Sequence, residues 1–154
     1  MSETLIEIKN LTKNFSVNKK ILHAVDDVSL SIEKGCIFGI VGESGCGKTT
    51  LGQCIMRLLD VTKGDIVFNG KNMTHLNQRQ MKEYRQYMQM VFQNPYSSFN
   101  PKMTIGQALR EVCTVYKISK GDADEKIKKL LQYVGLNDDV LPRHVITRHK
   151  KPNR

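Results

Sequence analysis

The stretch Ile40-Val41-Gly42-Glu43-Ser44-Gly45-Cys46-Gly47-Lys48-Thr49-Thr50 decides how the rest of the chain is read. Gly42 to Thr49 fits the spacing G-x-x-x-x-G-K-[ST] at every fixed position. Glycines at such spacing let consecutive backbone N–H groups curve tightly around an anion and approach it closely. A helix beginning near Gly47 would point its unsatisfied N–H groups, and the positive end of its dipole, at the same anion. Lys48 then reaches the β- and γ-phosphates of a nucleotide, and the Thr49 hydroxyl is placed to hold Mg²⁺. The pattern alone arises by chance, so its flanks matter. Before it stands the apolar run Cys36–Val41, bounded by Gly35 and Gly42, which reads as a strand buried on both faces. After it, Leu51, Ile55, Leu58 and Leu59 recur at helical spacing. Both flanks fit a phosphate-binding loop between a strand and a helix.

Outward from the loop, the remaining elements follow from periodicity. "TLIEIKNL" (4–11) alternates as a first strand and is followed by the turn-like polar stretch 12–20. Val28, Leu30 and Ile32 mark a second strand that stops at Lys34-Gly35. "TKGDIVFNGKNM" (62–73) reads as a strand between turns, "NQRQMKEYRQYM" (77–88) as a polar helix and "MQMVFQ" (88–93) as a short strand. Two Asn-Pro steps make "NPYSSFNP" (94–101) a loop. Helices are predicted from Thr104 to about Tyr116 and from Asp122 to Val134. Asp122 and Glu125 would cap the second, whose Ile127, Leu130, Leu131 and Val134 form one apolar stripe ending at Gly135.

Composition sets the bounds. A chain of 154 residues, 40% hydrophobic and 25% charged, is long enough for one core and short for two. No apolar run approaches the roughly 18 residues of a membrane span, and the N-terminus does not read as a signal peptide. The expected location is therefore cytoplasmic. Net charge is +9, but five of the 24 Lys and Arg stand in residues 143–154; without them, 19 bases face 15 acids. That segment reads as a solvated basic tail, so no nucleic-acid partner is expected. Cys36, Cys46, Cys54 and Cys113 show neither C-x-x-C nor metal-ligand spacing and read as reduced packing residues.

The wider series resembles the ATP-binding subunits of ABC transporters. "LTKNF", "AVDDVSLSIEKG", "GESGCGKTT", "TKGDIVFNG" and "MVFQNPYSSFNPKMTIGQAL" occur in that family's order, and the last is most similar to the oligopeptide/dipeptide branch, which includes nickel-type importers. The resemblance spans about residues 4–142. It implies an α/β P-loop NTPase fold of the ABC type, N-terminal part only, with a β-rich N-terminal portion, the phosphate-loop strand and helix, then a helical segment. It implies domain bounds of 1–142 with a tail at 143–154, and ATP with Mg²⁺ as ligands. Gly42, Glu43, Ser44, Gly45, Cys46, Gly47, Lys48, Thr49 and Thr50 would then bind phosphate. Phe15 would stack on adenine, its alternative being a core Phe at a strand end. Gln93 would help Thr49 ligate Mg²⁺ and orient the attacking water. Asn94 to Met103 would dock on membrane subunits, beside a second ATP-binding subunit, at the inner face of the membrane.

Phosphoryl transfer needs further groups to hold the metal and polarise the water. The family supplies them from an L-S-G-G-Q signature, an apolar strand ending in Asp-Glu and a switch His. None occurs among these 154 residues, and His144 and His149 lack the apolar strand that would assign either the switch role. The sequence therefore reads as truncated before the signature, binding ATP without hydrolysing it. The alternatives are a non-functional remnant or another P-loop class, the latter disfavoured because N-K-x-D is missing. Without the Asp-Glu strand, Cys36–Val41 is expected to have an unpaired edge and uncovered apolar faces.

Overall fold

A computed structural model describes residues 3–94 and 99–145, in two compact units, 1–90 and 91–154. The first is built on an antiparallel sheet of order β2-β1-β3-β4. β1 (Thr4–Val17) and β2 (Lys20–Glu33) form one long hairpin. Residues 12–20 are thus mostly strand. Only Asn18 and Lys19 turn, both with positive φ, the geometry of a two-residue hairpin connection. The polar character of the stretch reflects a hairpin end facing solvent, not a loop.

Midway, the hairpin changes register between Ile8 and Leu11, where Asn10 takes φ 48°. Side chains stitch this bulge across the strands. Asn10 donates to the Asp27 carboxylate at 2.9 Å and to Ser29 Oγ at 2.8 Å through its N–H, while the Asp27 N–H donates to Thr12 Oγ1. β3 (Lys63–Phe68) pairs with β1, and an Asn69-Gly70 turn, again with positive φ at both residues, leads into the short β4 (Lys71–Asn72).

On one face of the sheet, Ile8, Leu11, Val25 and Ile66 pack with Leu51, Cys54 and Ile55 of helix α1 (Lys48–Ile55) and with Met73 and Met81. α1 is shorter than its apolar spacing suggests. It stops because Arg57 adopts φ 53° and turns back into the interior, leaving Leu58 exposed. The Arg57 side chain is 6% exposed. Its guanidinium donates to the carbonyls of Met73 (3.2 Å), Leu59 (3.4 Å) and Leu76 (3.4 Å), and meets Asp60 at 3.1 Å. One cation thus ties the end of α1 to the chain after β4. Helix α2 (Gln78–Arg85) follows, with Asn77 and Gln80 in a reciprocal capping box.

The second unit contains helices α3 (Ile105–Val115) and α4 (Lys120–Tyr133) and a 3₁₀ turn at Asp138–Val140. Cys113, Ala123, Ile127, Leu131 and Val140 form its core. Thr104 and Gln107 close a capping box on α3. α4 begins earlier than predicted, because the N-cap is Ser119, whose hydroxyl accepts from the Asp122 N–H; Asp122 lies in the first turn instead of capping it. Of the expected stripe, Ile127 and Leu131 are buried while Leu130 and Val134 are exposed. Met103 to Gly106 lies antiparallel to Leu141–Val145, with Ile105 N–H on Arg143 O at 2.9 Å and Gly106 N–H on Leu141 O at 2.9 Å. Most of the basic segment, residues 146–154, lies outside the described residues, as do Pro95 to Ser98 of the predicted loop.

Two predicted strands do not form. Residues 36–41 and 88–93 have no partner in any ladder among the described residues. A strand is defined by its neighbour's hydrogen bonds, and apolar composition alone does not supply one. Ile37 and Val41 are fully exposed at 103% and 96%, and Val91 is 92% exposed. The unpaired strand edge expected for Cys36–Val41 is not seen, because no strand forms there; Ile37 and Val41 are uncovered, while Phe38 and Ile40 are partly covered beside β2.

Candidate phosphate-binding site

Gly42 to Gly47 leads directly into α1, and glycine is required at specific points of it. Gly45 and Gly47 take φ 85° and 93°, a region that side chains disfavour. A Cβ on Gly47 would stand 2.0 Å from the carbonyl oxygen of Ala24, because the loop backbone rests directly on β2. A Cβ on Gly42 would meet Cys46 Sγ at 2.8 Å. Gly47 is also the N-cap of α1, in a left-handed conformation and with no side chain to accept from the first turn. Among the described residues, the N–H groups of Gly47, Lys48, Thr49 and Thr50 have no acceptor. Uncapped donors at a helix start are anion-seeking groups.

Lys48 curls back over the loop. Its ammonium donates to Gly42 O at 2.7 Å, Glu43 O at 2.5 Å and Cys46 Sγ at 3.4 Å. The Cys46 N–H in turn donates to Glu43 O at 3.4 Å. The free N–H groups, this ammonium and the Thr49 hydroxyl, which makes no hydrogen bond among the described residues, together fit a polyphosphate. For Mg²⁺ this unit offers the Thr49 hydroxyl, a donor set that fits an ion held mainly by phosphate oxygens and water. Behind the loop, burial pushes the Cys54 thiol up, opposed by the charges of Lys13 and Arg57. A cavity of about 580 Å³ adjoins the loop, lined by Val25, Val28 and Leu30 of β2, by Phe38 and Ile40, and by Lys48.

The other predicted residues stand on other elements. Phe15 lies near the turn end of β1, opposite Leu22, with Lys13 Nζ over its ring at 4.9 Å from the centroid. Gln93 belongs to the second unit, exposed on a bend that also includes Asn94. Lys13 was not legible as a site residue. Its only signal is its place two residues before Phe15 on one strand, which puts both side chains on one side of the sheet.

Comparison with known proteins identifies the family. Residues 25–151 match the family described as ABC transporter. The oligopeptide transport ATP-binding protein OppF of Bacillus subtilis (strain 168) is 40% identical over 147 residues, covering 94% of this chain and 48% of that protein. OppF of Streptococcus mutans is 40% identical over 143 residues, covering 91% and 46%. The chain thus spans about half the length of the curated relatives it matches. Among solved structures, the bacterial ABC transporter cassette MJ0796 superposes with a TM-score of 0.76 at 22% identity, over 91% of this chain and 61% of that one. CbiO1 from Clostridium perfringens gives 0.71 at 20%, over 94% and 56%. These likenesses establish the P-loop fold of the ABC type, with its β-rich first part and helical second part. With the family match covering residues 25–151, which include the loop and the helices of the second unit, the chain belongs to the ABC transporter family.

Proposed function

We propose that this chain is the nucleotide-binding part of the ATP-binding subunit of an importer for oligopeptides, dipeptides or a related small nutrient. The observation that carries the reading is the loop 42–50, with its unsatisfied N–H groups converging at an uncapped helix start and Lys48 folded over them. Family membership supports ATP with Mg²⁺ as the ligand, and the peptide-transport relatives support the solute class. Within this reading Gly42 to Thr50 bind the phosphates, Phe15 stacks on the base, and Thr49 with Gln93 serves Mg²⁺. The segment Asn94–Met103 docks on membrane subunits, and a second ATP-binding subunit completes the pair at the inner membrane face. Among the described residues no helix is long and apolar enough to cross a membrane, which suits a peripheral role.

Binding and turnover separate in this reading. The cradle is present, whereas these 154 residues include no apolar strand ending in Asp-Glu and no L-S-G-G-Q. In this reading these residues, taken alone, bind ATP without turning it over. Calorimetric titration should detect MgATP binding, and Lys48→Ala should weaken it by about ten- to hundredfold, the worth of a charge-assisted contact. Undiminished affinity in that variant would refute the loop assignment, and steady phosphate release that vanishes with Lys48→Ala would refute the loss of turnover.

A second reading, a remnant whose fold is weak where the loop is fed, is favoured by the exposure of Ile37 and Val41. Amides of residues 37–41 should then exchange with solvent at nearly unprotected rates while those of Ile8, Leu11 and Ile66 exchange slowly. Slow exchange at 37–41 together with a sharp, cooperative melt would exclude it.

A further inference from the structure

Lys13 lies on β1 two residues before the proposed base platform, Phe15. It pairs opposite Val25, a buried residue packed with Leu51 and Cys54. Residues directly opposite in an antiparallel pair share one face of the sheet, so Lys13 projects on the side that carries α1. Its charge is felt there, since it opposes the effect of burial on the Cys54 thiol. Gly47 rests on the same stretch of β2, its Cβ direction 2.0 Å from Ala24 O and 3.8 Å from Val25 Cγ2. From that position the Lys13 ammonium reaches over the ring of Phe15.

We infer that Lys13 is a further nucleotide-binding cation with two alternative partners, the ring of Phe15 and a phosphate oxygen of the bound nucleotide. A base that stacks on the covered face of the ring must take the place of the ammonium. Once displaced, the ammonium is free to pair with a phosphate, and a charge-assisted bond to an anion is stronger than a half-buried contact with a neutral ring. Base stacking and phosphate capture are thereby coupled through one side chain. The ligand class it favours is a nucleoside polyphosphate over a nucleoside. This inference rests on the assignment of Gly42–Thr50 to phosphate and Phe15 to the base, and adds a positioning and specificity role for a residue outside that set.

The test compares ATP, inorganic tripolyphosphate and adenosine as titrants against the intact chain and its Lys13→Met and Lys13→Arg variants. Lys13→Met should bind ATP and tripolyphosphate about tenfold more weakly. It should bind adenosine as well as the parent or up to about fivefold more tightly, because the ring is uncovered. Lys13→Arg should stay within about threefold of the parent for ATP, keeping the cation. Unchanged ATP affinity in Lys13→Met overturns the inference, and so does an equal loss for ATP and adenosine, which would mark a structural role. If the methionine variant loses its fold, Lys13→Gln carries the same comparison. Lys48→Ala separates this inference from the reading beneath it. ATP binding lost with Lys48→Ala but untouched in Lys13→Met overturns the role of Lys13 alone, whereas ATP binding retained in Lys48→Ala overturns both.

Discussion

Gly47→Ala is expected to abolish nucleotide binding and to destabilise the first unit by about 3 kcal/mol or more. Two costs combine. Holding alanine at φ 93° strains the backbone by about 1–3 kcal/mol. The new methyl group would also lie 2.0 Å from Ala24 O and 3.2 Å from the carbonyl carbon, neither of which is a flexible side-chain tip. The loop must therefore lift off β2, and the start of α1 with its free N–H groups moves with it. Urea unfolding should show a lowered midpoint, and calorimetry should show no heat with MgATP. A variant that keeps parental stability and affinity would mean that the loop does not rest on β2 as described. Gly45→Ala is the informative companion. Its φ is also positive, but nothing lies within 4 Å of its Cβ direction, so only the backbone strain applies.

Arg57→Met should cost about 3–5 kcal/mol, a large share of the roughly 5–15 kcal/mol that holds a typical domain. The loss comes mainly from the carbonyls of Met73, Leu59 and Leu76, which share the guanidinium as donor. Asp60 is 87% exposed on its side chain and adds little, since water replaces its partner. Lysine should fail to rescue, because one compact ammonium cannot reproduce the three directions of a planar fork. Thermal unfolding followed by circular dichroism distinguishes the cases. Parental melting of Arg57→Met would show that water reaches those carbonyls, and parental melting of Arg57→Lys would show that charge alone suffices. Because Arg57 fixes the end of the helix whose start carries the loop, ATP affinity should fall with the folded fraction.

The phosphate loop was readable because its chemistry fixes residue types at fixed spacing. Gly45 and Gly47 stand where φ is positive, and Lys48 stands where an ammonium can fold over the turn. The Asn69-Gly70 turn and the Asn77 and Thr104 helix starts were legible for the same reason, each being a local demand met by a few residue types. What failed to be legible depends on distant partners. Residues 12–17 read as a turn because polar side chains dominate the stretch, while the strand is held by pairing that composition does not encode. Cys36–Val41 erred the other way, since six apolar residues suggest a buried strand but only a neighbouring ladder makes one. Arg57 left no trace at all. An arginine after an apolar helix resembles any solvated side chain until the fold places three carbonyls around it. Lys13 was hidden likewise, its interest arising from what β2 brings beside it. The Ser119 cap was missed for a nearer reason, because Asp122 offers the same chemistry three residues later.

The bonds from Lys48 to Gly42 O and Glu43 O bear on how a ligand meets this loop. They act as a clasp, drawing two carbonyls of the main chain toward one ammonium and so fixing the curvature of the turn from within. The entropy of ordering those residues is then lost during folding, and an arriving phosphate meets a surface already shaped, exchanging one set of ammonium contacts for another. Association through such a loop is a swap of partners, not a closure around the ligand.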